Sequence, residues 1–274
     1  MNLRRILLAL DATAREWRGL EELAALAARL EAELVGLFVE DLDLLHAAAR
    51  PEAREIGLAS ASAQVFDPQA LDRTLRGLAR RAERRLAEVA GRRQARWSFQ
   101  VARGRVPAEL LGAAAGADLL VVGRSSRRGT PRRRLGSTAR RILAAREGPV
   151  LLLPPETTLQ APVVAWIDAA EDVPAVAGVA GTLAAAAESS LTVHLAADTP
   201  EGAAALAAAW QEWSPGGAPA ARVVAHGDAA ALARARRDVL AHAGVLVLRQ
   251  GGRWLREAGV EAVAEAVGPV LLVS

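Results

Sequence analysis

Residues 119–154 read LLVVGRSSRRGTPRRRLGSTARRILAAREGPVLLLP. The apolar runs Leu119–Val122 and Val150–Leu153 show no polar alternation, which predicts strands buried on both faces of a parallel sheet. Between them lie a basic Gly/Ser loop and a predicted helix, Gly136 to Ala145, that opens on Gly136-Ser137-Thr138. A loop that brings backbone N–H groups and a helix N-terminus to the end of a parallel strand is a physical recipe for holding phosphate.

Upstream of this stretch, strands alternate with helices. Arg5–Leu10 is an unbroken apolar strand ended by Asp11. Leu20, Leu23, Leu26 and Leu30 then recur at helical spacing from about Glu16 onward. A strand over Glu33–Val39, a long helix over Asp67–Val89, a strand over Trp97–Val101 and a short helix over Pro107–Ala114 complete the unit. This alternation predicts a doubly wound α/β sheet. Residues 42–66, with Leu44, Leu45, Ile56 and Leu58, are expected to form a helical flap placed to close over the cleft.

The pattern stops at Pro154-Pro155-Glu156-Thr157-Thr158, read as a linker, and then restarts. LLALDA through Asp11 aligns with VAWIDA through Asp168, an offset of 157 (168 − 11), and Asp41 aligns with Asp198 at the same offset. Gly104, ending VARG, aligns with Gly227, ending VAHG, at 123 (227 − 104). Gly148-Pro149-Val150-Leu151 aligns with Gly268-Pro269-Val270-Leu271 at 120 (268 − 148). Segments recurring in one order predict a tandem repeat of one fold, with domains at 1–155 and 161–274. The second copy carries VLVLRQGGRWLREAGVEAVAEAVGPVLLV where the opening stretch should be, so its phosphate loop is read as lost.

Composition narrows the function. The chain of 274 residues is 52% hydrophobic but only 3% aromatic, so its cores must be built from Ala, Val and Leu. With no Cys, disulfides, thiolate chemistry and Cys-ligated metal are excluded. The net charge is only +3, yet Arg124, Arg127, Arg128, Arg132, Arg133, Arg134, Arg140, Arg141 and Arg146 crowd one stretch. That cluster suits phosphate groups, a solvated face, or a polyanion such as nucleic acid or a membrane surface. Against nucleic acid, the six Trp do not interleave with the basic run to form a stacking platform; they are read as core or interface residues. The longest uncharged run, Val173–Ala187, is shorter than the roughly 20 residues of a membrane span, and the N-terminus does not read as a signal peptide. A cytoplasmic protein is expected, with no nucleic-acid partner and no membrane span.

His46, His194, His226 and His242 fall on different elements with no metal-ligand spacing, and only His226, at a strand end, draws notice. The loop lacks the Lys of GxxxxGK[ST] and a metal-holding carboxylate, which argues against a fast nucleotide hydrolase.

Taken together, these residues resemble the universal stress protein family. Its nucleotide-binding members carry G-x2-G-x9-G-[ST] after the fourth strand, an Asp ending the first strand, and a terminal Pro-Val-Leu-Leu-Val strand. Here Gly123 and Gly136-Ser137 keep the spacing, while Ser126 stands where the second Gly is expected. The resemblance implies two tandem Rossmann-like, adenine nucleotide alpha hydrolase-like domains, each a doubly wound fold on a five-stranded parallel sheet, the second degenerate. It implies that the first binds ATP or another adenine nucleotide, with magnesium as an accompanying ion, through Ala9, Asp11, Val39, Val122, Gly123, Arg124, Ser126, Gly136, Ser137 and Thr138. Asp11 would contact the adenosine part, although an Asp there also suits a helix cap; Asp168 is read as structural. The family's association through its last strand implies an intramolecular pseudo-dimer, Val150–Leu153 beside Val270–Val273, with a homodimer as a further assembly. Three functions follow: a regulatory nucleotide-binding module without catalytic activity, a nucleotide-independent scaffold, or a slow ATPase.

Overall fold

The computed structural model describes residues 3–10, 19–50, 54–56, 63–65, 67–124, 134–154, 159, 162–214 and 221–274. The first half contains strands β1 (Arg5–Leu10), β2 (Glu33–Asp41), β5 (Arg96–Gly104), β6 (Leu119–Gly123) and β7 (Val150–Leu153). The second contains β8 (Val163–Ile167), β9 (Leu191–Ala197), β10 (Ala221–Gly227), β11 (Val245–Arg249) and β12 (Val270–Val273). All ten form one sheet, ordered β10-β9-β8-β11-β12-β7-β6-β1-β2-β5. Within each half the pairing is parallel. Each half runs outward from its last strand in the same order, and the two meet where β12 pairs antiparallel with β7, Leu271 opposite Leu151.

Helices cover both faces, as a doubly wound sheet requires. One face buries α1 (Gly19–Arg29), α3 (Pro68–Arg92), α6 (Val173–Ala186) and α7 (Pro200–Trp213), through Leu23, Leu86, Val176 and Trp210 among others. The other buries α4 (Val106–Ala114), α5 (Ser137–Ala145), α8 (Ala229–His242) and α9 (Arg253–Ala258), through Leu110, Ile142, Val239 and Trp254. The central strands β7, β8 and β12 are buried along their whole length, and β6 up to Gly123, which explains their unalternating apolar sequence.

The segment after β2 departs from the expected flap. Among its described residues it is helical only at its start, α2 (Leu42–Ala48), whose first turn is capped by the Asp41 carboxylate accepting from the Asp43 N–H at 2.9 Å. A two-stranded antiparallel ladder, β3 (Arg54–Ile56) with β4 (Ala63–Val65), follows. Of the Trp residues read as core, Trp166, Trp210 and Trp254 are buried, whereas Trp97 on edge strand β5 is 37% exposed; Trp17 lies outside the described residues. Among the described residues no helix is long and apolar enough to cross a membrane.

Candidate functional site

The C-terminal ends of β1, β2 and β6 lie side by side, in the order β6-β1-β2, at the edge where ligands of open α/β sheets are held. Ala9, Val39 and Val122 share the sheet face covered by α4 and α5. Gly123 follows on an exposed backbone, and a Cβ built there would meet nothing within 4 Å. Gly136 is the N-cap of α5, in extended conformation (φ −62°, ψ 154°), and among the described residues no side chain accepts from the helix's first turn. The amides of Ser137, Thr138 and Ala139, the first three of the helix, therefore have no intrahelical acceptor, and the helix dipole favours an anion at that point. Asp11 and Ser126 lie outside the described residues.

Two backbone hydrogen bonds bring the ends of the basic stretch together. The Arg124 N–H donates to the Leu153 carbonyl at 2.7 Å, and the Gly136 N–H donates to the Arg124 carbonyl at 2.9 Å. Gly136 thus contributes the absence of a side chain rather than a free N–H.

The arginines divide in a way their clustering does not suggest. Arg124, expected at the phosphates, is buried at 6% exposure, and its Nη1 donates to the carbonyls of Ala266 at 2.6 Å and Gly268 at 3.2 Å in the second half. Its guanidinium serves the joint between the halves. Arg146 is buried as well, donating to the carbonyls of Ala114 at 2.8 Å and Ala117 at 2.9 Å, and burial holds its guanidinium below the usual arginine range. Arg134 and Arg141 are exposed, while Arg140 faces Glu261 of the second half at 3.6 Å.

The second half shows what became of the same place. Gly252 caps α9 with nearly the backbone of Gly136 (φ −59°, ψ 164°), but here the first-turn amides are taken. The Asp168 carboxylate accepts from the N–H of Arg253 at 3.2 Å and of Trp254 at 2.8 Å. An internal carboxylate stands where an anion would sit. Arg253 in turn donates to Asp198 at 3.0 Å and to the Ala196 carbonyl at 3.0 Å, and the ion pair draws the Asp198 carboxyl below its usual range.

The rest of that cleft is filled by rings. Trp166, which the repeat aligns with Ala9, is only 1% exposed. It stacks on His194 (centroids 5.6 Å, 14° between planes), meets Trp254 edge-on at 4.7 Å, and lies 5.9 Å from the Arg236 guanidinium. His194 Nδ1 and His226 Nε2 are 2.9 Å apart, sharing one hydrogen. Burial first, and then the neighbouring His226, push the His194 imidazole down to about 4; burial also lowers His226. The sequence placed these histidines apart because they sit on β9 and β10, and only strand register makes them neighbours. Among the described residues no group of three or more potential ligands is arranged to hold a metal.

The first half thus has a glycine-capped helix after its fourth sheet strand and a terminal strand preceded by Gly148-Pro149. The family model for the universal stress proteins matches residues 2–154. The chain belongs to the universal stress protein family. Among solved structures, a universal stress protein from Archaeoglobus fulgidus is similar over 100% of this chain and 99% of its own, with a TM-score of 0.66 at 13% identity. A putative universal stress protein from Pseudomonas aeruginosa matches over 99% of this chain and 93% of its own, with a TM-score of 0.59 at 16% identity. The cytoplasmic domain of a prokaryotic cation chloride cotransporter has the same fold over 98% of this chain and 95% of its own (TM-score 0.53, 12% identity). Among curated protein sequences none matches this universal stress protein.

Proposed function

We propose that the first half, residues 1–155, binds ATP or a related adenine nucleotide, and that the protein is a cytoplasmic regulatory binding module rather than an enzyme. One observation supports this reading: among the described residues no side chain accepts from the first turn of α5, while its counterpart in the second half is capped by Asp168. The phosphates would rest on the amides of Ser137, Thr138 and Ala139 and on the hydroxyls of Ser137 and Thr138, with magnesium as counter-ion. Gly123 and Gly136 give the ligand room, and Ser126 replaces the family's glycine with a hydroxyl. The adenosine would lie over Ala9, Val39 and Val122, with Asp11 as its polar partner. Arg124 leaves the set, because its side chain belongs to the joint.

In the same reading residues 161–274 are a degenerate second domain that binds no nucleotide, and the β7–β12 pairing does within one chain what association does between two. A transplant tests the proposal. Isothermal titration of the full chain with ATP should show saturable binding, and Ala9→Trp, which copies the ring of the second half into the first, should abolish it while leaving the circular dichroism unchanged. Absence of binding by the unmodified protein at millimolar ATP would overturn the nucleotide reading and leave a nucleotide-independent scaffold. ATP turnover that is lost with Gly136→Val would overturn the non-enzymatic part.

A further inference from the structure

The contacts across the joint follow an approximate two-fold rule. Arg124 and Gln250 each come directly after the fourth strand of their half, and each N–H donates to the last carbonyl of the neighbouring terminal strand, Leu153 at 2.7 Å and Val273 at 2.6 Å. Both side chains then cross to the other half. Arg124 reaches the carbonyls of Ala266 and Gly268, and Gln250 reaches those of Leu143 at 2.8 Å and Arg146 at 3.2 Å. By the offset of 120 that aligns the terminal strands, Arg146 and Ala266 are equivalent (266 − 146), so the exchange is reciprocal.

One contact breaks the rule. Glu261, in the short 3-10 turn Val260–Ala264, accepts from the Leu135 N–H at 3.1 Å and faces Arg140 at 3.6 Å. Its counterpart is Arg141 by that offset, or Ala145 by the offset of 116 that aligns the helix starts (252 − 136), and neither side chain has an acceptor to offer an amide. Leu135 precedes the N-cap Gly136 as Gly251 precedes the N-cap Gly252, and there the contact is a local one to the other backbone group, the Gly251 carbonyl accepting from Arg256. Among the described residues, an acceptor that reaches across to the residue before the helix is seen at the start of α5 and not at that of α9.

We propose that Glu261 is a positioning residue by which the second half sets the anion-facing end of α5 in the first. The two amides before the helix are both spoken for, Leu135 by Glu261 and Gly136 by the Arg124 carbonyl. With the entering backbone held at two successive residues, the next three amides point to one place and lose little freedom when an anion arrives. The negative charge that does this is partly balanced by Arg140. Because coupling is reciprocal, an anion at α5 also tightens the Glu261 contact. The role in nucleotide binding rests on the reading given above; the holding of the helix entrance does not.

The test compares the full chain with Glu261→Ala and Glu261→Gln. Amide hydrogen exchange without nucleotide should quicken at Leu135 and Gly136 in Glu261→Ala and stay near the unmodified rate in Glu261→Gln, which keeps an acceptor. Affinity for ATP should fall about three- to tenfold in Glu261→Ala, the scale of one lost hydrogen bond, while affinity for adenosine stays unchanged. Unaltered exchange in Glu261→Ala overturns the proposal, as does equal tightening of ATP by both variants, which would mark the carboxylate as a repelling charge. If the unmodified protein binds no ATP, the nucleotide reading falls, and the exchange rates alone decide whether Glu261 holds the helix.

Discussion

The β6–α5 junction and the β11–α9 junction are two versions of one corner, and they differ in who fills it. Both helices start on a glycine of nearly the same backbone conformation. In the second half a carboxylate from the end of β8, an arginine and a wall of rings complete the corner from within. In the first, Ala9 stands where Trp166 would, and among the described residues no side chain completes the helix start. A binding corner is thus closed by the same physics that makes it: anything with a negative charge and the right reach satisfies the amides, and a side chain serves as well as a ligand.

The comparison can be broken most forcefully at the plug. Replacing Trp166 by Ala removes a buried indole and should cost about 3–5 kcal/mol of stability, read by urea denaturation, because the sheet and α8 cannot collapse into the space. A loss below about 1 kcal/mol would mean that the rings are not what holds the second corner shut. Asp168→Ala should cost roughly 1–2 kcal/mol, as a lost helix cap does. In a thermal scan its melting temperature should recover partly in phosphate or sulfate if the freed amides then accept an anion.

Acidification gives the smallest and most graded effect. His194 titrates near 6.5 when unfolded and at about 4 in the folded protein. Between those values the unfolded chain binds the extra proton, so stability is full above about pH 6.5 and declines as pH falls toward 4. His194→Gln should flatten that slope in chemical denaturation at successive pH values. A slope unchanged by the substitution would place its origin elsewhere.

Most of the frame was legible from local pattern. The unalternating strands, the helices with leucine at three- and four-residue spacing, and the repeated GPVL segments sufficed, because a parallel sheet covered on both faces writes itself into the sequence as apolar runs. The aligned pair Ala9 and Trp166 even held the difference between the corners, in the form of one small and one large residue at the same strand position. What stayed hidden depended on register and direction. His194 and His226 are neighbours only through the pairing of β9 with β10. Arg124 and Arg146 look like their exposed neighbours in a basic run, and nothing local tells an arginine facing water from one spanning buried carbonyls. The helix after β2 is short because Leu44 is exposed and only Leu45 and Ala48 are buried, before Arg50 and Pro51 in the sequence.

The pairing of β7 with β12 has a further consequence. Two strands that on separate chains would have to find each other by collision are joined here by one chain, so their contact is a first-order event whose equilibrium does not depend on dilution. A cell that makes a single molecule of this protein has made the joint complete. Among the described residues the edge strands of the ten-stranded sheet are β5 and β10, with Trp97, Val101 and Val223 exposed on them. Growth of the assembly by strand addition therefore has only outward directions available.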